Sequence, residues 1–354
     1  MATPTRKYIP VVEAERDEAF ESDVAESYPD PVVICGQSFN ALDILLQDGG
    51  AYAEARRAFV DEGRKEIIDR VCESYPFPIA HLLARYVSGH EHQLERAGFL
   101  KDVWEATVTV LFSLMLGEVR ASGQVLEDSD VRPSMVESWS IRERIEVLSA
   151  LRKFGFDVYA CSQILNESAL AALIKLNRDR NERFAHVATL SETEAREFAD
   201  ELEPHVLNTL SQLSELGNVE LMRYVRPGAN RTHQVQVFRG ASPQKQIQHK
   251  ALAPNQLAAL AQSHMSTEDV FALYRGDCFA LSPMMILSPD VRPGALRMEA
   301  LKKCTGAGAD KTLQYELFGA SSVRELRGTS HVDELEQLKS LFRSTGKKQK
   351  REDR

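Results

Sequence analysis

Apolar residues recur at helical spacing through most of the first two thirds of the chain and give way to short β-branched and aromatic runs in the last third. Residues 51–73 (AYAEARRAFVDEGRKEIIDRVCE) read as an amphipathic helix, which Pro76 and Pro78 bring to an end. From Ile79 to about Leu216 the pattern is helical throughout. The segment 97–121 puts Leu100, Val103, Trp104, Thr107 and Leu111 on one stripe, and Val108, Val110 and Phe112 make its other faces apolar too. Such a helix is expected to be buried on more than one side, as a central helix or at an oligomer interface. Ser140 with Glu143 predicts the next helix start, residues 167–188 (ESALAALIKLNRDRNERFAHVA) form a third helix, and Ser191 with Glu194 caps a fourth that ends near Gly217. Four or more helices on short loops read as an up-and-down bundle.

After Asn218 the texture changes. VELMRYV, THQVQVFRG, VFALYRGDCFAL, ALRMEALKKC and KTLQYELFG are strand-like runs separated by Gly- and Pro-rich turns. They predict a small antiparallel β-rich domain, closed by a helix over 331–342 and followed by a basic tail. The fold class expected is therefore α+β, with an acidic N-terminal extension carrying one helix (1–78), a helical bundle (79–217), a β-rich C-terminal domain (218–342) and a disordered tail (343–354). In the N-terminal extension, residues 1–30 read as a mobile acidic arm and 30–36 (DPVVICG) as a short buried strand.

Composition narrows the class. The 354 residues are 43% hydrophobic and 27% charged, with a net charge of -9. That balance supports one or two ordinary cores and argues against a chain that binds polyanions over its whole surface. No apolar run reaches the roughly 20 residues of a membrane span. MATPTRKYIP lacks the apolar stretch of a secretory signal, so a cytoplasmic location is expected. Five cysteines without a C-x-x-C pair indicate buried free thiols rather than a disulfide framework or a zinc ribbon.

The most specific chemical signal is Arg180-Asn181-Glu182-Arg183-Phe184-Ala185-His186 on the third bundle helix. It resembles the motif of the HEPN superfamily, all-helical domains in which an arginine, a polar residue and, after four to six intervening positions, a histidine form the site of many metal-independent ribonucleases. The resemblance covers residues 79–216 and implies a role for each residue: His186 as acid/base, Arg180 as phosphate clamp, Asn181 as the residue that orients them. Metal-free RNA cleavage needs a base for the 2′-hydroxyl, a donor for the leaving 5′-oxygen and positive charge on the phosphorane, and these side chains supply all three. Lys175, Arg178 and Arg183 are expected to bind the substrate backbone. With Arg180 they set four bases against Asp179 and Glu182 in residues 175–187.

Six residues of helix turn through about 600°, leaving Arg180 and His186 roughly 120° apart. The family's usual solution is a dimer whose two motifs meet across a cleft, so the resemblance implies a homodimer, with helix 98–121 as part of its interface. The same heptapeptide also reads as an exposed helix end, with His186 suiting the dipole there. His90-Glu91-His92 reads as a solvated turn, and residues 306–312 (GAGADKT) as a turn between strands rather than a phosphate loop. Arg223, Arg226, Arg231, Arg239 and Lys250 form either a nucleic-acid face or ordinary strand ends.

The function expected is metal-independent endoribonuclease action, with no metal or cofactor, in a toxin, stress or anti-phage system. RNA is the expected partner, with a regulatory protein or nucleotide ligand as a further candidate. The alternative is a non-catalytic signalling or interaction protein, including an antitoxin-like partner of a nucleotidyltransferase.

Overall fold

The computed structural model describes residues 9–89, 92–127, 129–155, 158–183, 191–242, 247–262, 268–289 and 296–343. The chain is α+β, with antiparallel sheets following a helical region. It divides into two compact units, Met1–Ile67 and Ile68–Arg354. The expected boundary near 217 falls inside the second. Among the described residues no helix is long and apolar enough to cross a membrane.

The first unit corrects the expected acidic arm. Helix α1 (Glu18–Ser27) starts at Asp17, whose side chain accepts from the Phe20 amide, and it buries Phe20 and Val24. Those two side chains pack with Tyr52 from α3 (Gly49–Ser74), with the Phe20 and Tyr52 rings edge to face at 5.2 Å. The acids are tied down as well: Arg16 holds Glu21, and Arg56 Nε donates to Asp17 at 2.8 Å. Strands β1 (Val32–Ile34) and β2 (Gln37–Phe39) form a hairpin, and α2 (Ala41–Gln47) follows. The strand expected at 30–36 is present but exposed, with Val33 at 66%.

In the second unit the prolines act as expected. Helix α3 ends at Ser74 and α4 (Phe77–Val87) begins directly after Pro76. Helix α5 (Gln93–Ser122) is the center of the unit. Its residues Leu100, Val103, Val108, Val110, Leu114 and Leu116 are completely enclosed. After the one-turn α6 (Pro133–Val136) come α7 (Ile141–Gly155), α8 (Glu167–Arg183) and α9 (Glu192–Gln212). Helix α5 touches α7, α7 touches α8, α8 touches α9 and α9 returns to α5, so these four helices form a closed ring, with α4 added against α5. The faces of α5 that read as a possible oligomer interface are covered by the chain's own elements, so that expectation for helix 98–121 is corrected.

The strand-rich region forms two antiparallel sheets. One has the order β6-β5-β4-β7-β8, built from β4 (Glu220–Pro227), β5 (His233–Phe238), β6 (Ile247–Lys250), β7 (Phe271–Tyr274) and β8 (Asp277–Ala280). Helix α10 (Pro254–Gln262) packs on it around Met222, Val235 and Phe271. The other has the order β12-β11-β10-β9, from β9 (Met285–Pro289), β10 (Leu296–Thr305), β11 (Thr312–Leu317) and β12 (Val323–Arg327). Gly117 of α5 lets β8 come close, since a Cβ there would lie 2.8 Å from the Ala280 carbonyl. The closing helix is α11 (Ser330–Ser340), after which β13 (Phe342–Arg343) pairs in parallel with β3 (Leu126–Glu127) beyond α5.

Candidate functional site

Helix α8 buries Ala169, Leu173 and Leu176 at helical spacing, while Ile174, Lys175 and Arg178 are exposed. Asn166 sits ahead of it and caps it, its Oδ1 accepting from the Ala169 amide at 2.7 Å. Of the six residues read as the site, Lys175 and Arg178 thus lie on the outer side of a packed helix. The backbone of Arg180, Asn181 and Arg183 belongs to the last turns of α8. His186 and the side chains of those three lie outside the described residues.

Sequence reasoning missed a cleft of about 660 Å³ beside the same helix, formed by α5, α7, α8, β10 and the turn after β11. Its deepest charge is Arg144, only 6% exposed. The guanidinium ties three elements together, donating to the Ser138 carbonyl at 3.2 Å, to Thr109 Oγ1 of α5 at 2.6 Å and to the Leu301 carbonyl of β10 at 2.6 Å. It also stands 5.3 Å from the center of the Phe112 ring. Burial pushes its pKa down to about 10, against the pull of Glu105 and Glu316.

Besides Arg144 the cleft sets Lys101 and Lys302 against three carboxylates, Asp102, Glu105 and Glu316. Lys101 stands 3.5 Å from Asp102 and 3.4 Å from Glu105, and Lys302 Nζ donates to Glu316 at 2.6 Å. Burial raises the Asp102 pKa, Lys101 opposes this, and Glu105 and Glu316 add to it. Trp139 at the rim is 63% exposed, and Asn177 of α8 presents a buried Oδ1 with no hydrogen-bond partner among the described residues. A signal for this site exists in the sequence: Arg144 occupies the apolar phase of α7 set by Ile141, Ile145 and Leu148.

A second charged cluster lies at the start of α11. Asp269, His331 and Glu334 bring ligand-type atoms within 4.8 Å of one another. Cations already occupy this environment. Arg120 of α5 stands 3.2 Å from Glu334, and Arg324 bonds Glu299 at 2.8 Å and Glu268 at 3.1 Å. His331 completes the set, with both ring nitrogens near carboxylates. The arrangement is an ion network that pins α11 to α5 and to the second sheet.

Three of the five basic residues singled out in the strand region are bonded to neighbouring groups. Arg239 donates to the Ser74 and Gly217 carbonyls, Lys250 pairs with Glu220, and Arg226 bonds Gln234. Burial lowers the pKa of Arg223. The bonds of Arg239, Lys250 and Arg226 are fastenings between strands and neighbouring elements. His92, from the histidine pair, directly precedes α5, its exposed side chain 3.8 Å from Glu192 and making no hydrogen bond to the helix start, while His90 and Glu91 lie outside the described residues. Residues 306–312 join β10 to β11, as a turn should, and Lys311 within them is held by Glu137 and Glu336.

No protein-family model matches the chain, and neither a curated protein nor a solved structure matches it.

Proposed function

We propose that the protein is a metal-independent endoribonuclease built on a HEPN-like helical bundle, acting in the cytoplasm within a toxin, stress or anti-phage system. The observation that carries this reading is the closed ring of α5, α7, α8 and α9, in which the motif-bearing helix buries one stripe and leaves Lys175 and Arg178 outside. An exposed basic edge on that helix suits an RNA backbone. In the reaction His186 takes the proton of a ribose 2′-hydroxyl. The 2′-oxygen then attacks the adjacent phosphorus, Arg180 balances charge on the phosphorane, and the 5′-oxygen leaves with a proton given by the protonated histidine of the second motif in the homodimer. The products are a 2′,3′-cyclic phosphate and a 5′-hydroxyl, and the imidazole and guanidinium suffice for the proton transfers and the charge.

Two motifs brought together in a homodimer would compose the site. Support for association comes from Phe154, Val158 and Ile174, apolar side chains exposed along the α7–α8 segment. The same exposed residues favour a second reading, a non-catalytic interaction protein that binds its partner there.

Incubating the purified protein with total RNA in EDTA separates the two. Cleavage that survives the chelator and disappears in Arg180→Ala and His186→Ala, with fold and oligomeric state intact, supports the nuclease. Unchanged cleavage in both variants overturns the assignment of the site, and no cleavage by the wild type leaves the interaction protein as the better description.

A further inference from the structure

We propose that the outer part of the first sheet, where β4, β5 and β6 run together, is a docking surface for the phosphate backbone of an RNA strand. The first observation lies in the sequence. No aspartate or glutamate occurs in residues 221–267, although at the chain's overall frequency of 52 acids in 354 residues about seven would fall there. The same stretch carries Arg223, Arg226, Arg231, Arg239, Lys245 and Lys250, six positive charges in a chain whose net charge is -9. A block of one sign attracts a polyanion locally while the rest of the chain repels it.

Folding decides where that charge goes. Lys250 is held by Glu220, Arg239 bonds two carbonyls with Glu220 4.0 Å away, and Lys245 lies outside the described residues. Arg223, Arg226 and Arg231 have no carboxylate within ion-pair distance among the described residues. Arg223 and Arg226 are three apart in sequence, a spacing that puts residues of a regular strand on opposite faces. A bulge between Tyr224 and Arg226 reverses this. Arg223 pairs with Gln236 and Arg226 with Gln234, so the extra residue, Val225, brings both arginines to one face, which His249 joins by pairing with Gln234. The opposite face, with Met222 and Val235, is the one that α10 covers.

The row is also oriented in advance. Arg226 Nε donates to Gln234 Oε1 at 2.7 Å and Gln234 Nε2 lies 3.5 Å from His249 Nε2, so one polar row crosses three strands. The bond to Gln234 fixes the guanidinium and leaves its two terminal nitrogens unbonded among the described residues, a fork that matches two phosphate oxygens. Arg231 stands exposed on the turn between β4 and β5, which the Gly228 amide closes on the Thr232 carbonyl at 2.9 Å. Arg226, His249 and Gln248 are exposed, and Ile247 is the one large apolar side chain exposed on these three strands among the described residues. A protein partner would call for an apolar center, whereas a nucleic-acid interface is polar and positively charged. The docking of phosphates does not depend on the motif of α8; the choice of RNA rests on the nuclease reading.

Fluorescence anisotropy of a short RNA, 2′-O-methylated throughout so that no 2′-hydroxyl is left to attack, reads binding to the full-length protein whether or not it cuts RNA. Saturable binding that weakens as salt rises is expected. Arg226→Gln combined with Arg231→Gln should weaken it roughly 10-fold and lower the slope of log affinity against log salt by about 1.4, as loss of two phosphate contacts to a single strand does. Arg142→Gln combined with Arg327→Gln removes the same charge from exposed positions elsewhere and should change affinity by less than about 3-fold. No binding by the wild type, an unchanged slope in the Arg226 and Arg231 pair, or an equal loss in the control pair overturns the proposal. Displacement of the RNA by polyglutamate at equal charge makes an acidic protein the occupant and overturns it too, and tighter binding of DNA of the same sequence overturns the choice of RNA. Binding of the methylated strand by a protein that cuts no RNA upholds the surface and rejects the nuclease alone.

Discussion

His331 and Glu334 stand one turn apart on α11 with Nδ1 3.2 Å from Oε2, while the other ring nitrogen of His331 lies 3.7 Å from a Glu268 oxygen. Burial by itself would lower the histidine pKa, but the Glu334 hydrogen bond and the charges of Glu334, Asp269 and Glu268 outweigh it and raise the value. Burial would raise Glu334, yet His331 and Arg120 bring it below its ordinary value. The imidazolium therefore contributes its full stability below pH 6.5 and loses it as the pH climbs through the raised folded value. Glu334 contributes above its ordinary 4.5 and loses its share as the pH falls through the lowered one. Denaturant melts across pH should show stability declining above 6.5. His331→Gln should flatten that decline and cost roughly 3 kcal/mol below pH 6.5, as loss of one partner from a largely buried ion network does.

Two glycines of α5 should respond to alanine with opposite signs. At Gly117 an added Cβ meets the Ala280 carbonyl at 2.8 Å and Phe279 at 3.0 Å, so Gly117→Ala forces α5 and β8 apart. Overpacking of this kind costs about 1 to 3 kcal/mol and exceeds the gain in helix propensity. At Gly98 nothing lies within 4 Å, and Gly98→Ala should stabilise by roughly 0.5 to 1 kcal/mol. Urea melts of the two variants measure both.

The helical pattern in the sequence was readable wherever the cause is local. The Ser191–Glu194 capping box forms as its spacing implies, and Ser140 accepts from the Glu143 amide at 3.5 Å as the start of α7. Helix α1 escaped notice because Phe20 and Val24 find their apolar company on α3, about 30 residues away in the chain, and a count of nearby acids cannot show that. The role of Arg239 was hidden for the same reason: its partners are carbonyls at Ser74 and Gly217. The cleft is non-local throughout, since Arg144 joins α5 and β10 across 35 and 157 positions of sequence.

Thiol reactivity should sort by burial. Cys161 is enclosed and its pKa is raised well above the usual thiol value by desolvation, and burial pushes Cys278 up to about 12. Cys35 is exposed in the turn between β1 and β2. A chromogenic disulfide at pH 8 should label Cys35 first and reach Cys161 and Cys278 only after unfolding. Rapid modification of either buried thiol in the native protein would contradict the packing around it.

If α8 carries an RNA backbone along its outer edge, removing one charge there should act without regard to sequence. Lys175→Ala is expected to weaken binding of unrelated RNAs to a similar degree and to reduce the slope of log affinity against log salt by about 1. Filter binding at several salt concentrations reads this directly, and an unchanged slope removes Lys175 from the contact.

Enclosure of α5 by late elements has a consequence during synthesis. The helix ends at Ser122, yet it is covered in part by β8, which begins at Asp277, and by α11, which begins at Ser330. At ordinary elongation rates the ribosome needs about 10 to 40 s to make the chain in between. Throughout that interval one of the most apolar stretches of the nascent polypeptide lacks its final cover, which makes it the natural landing place for a chaperone.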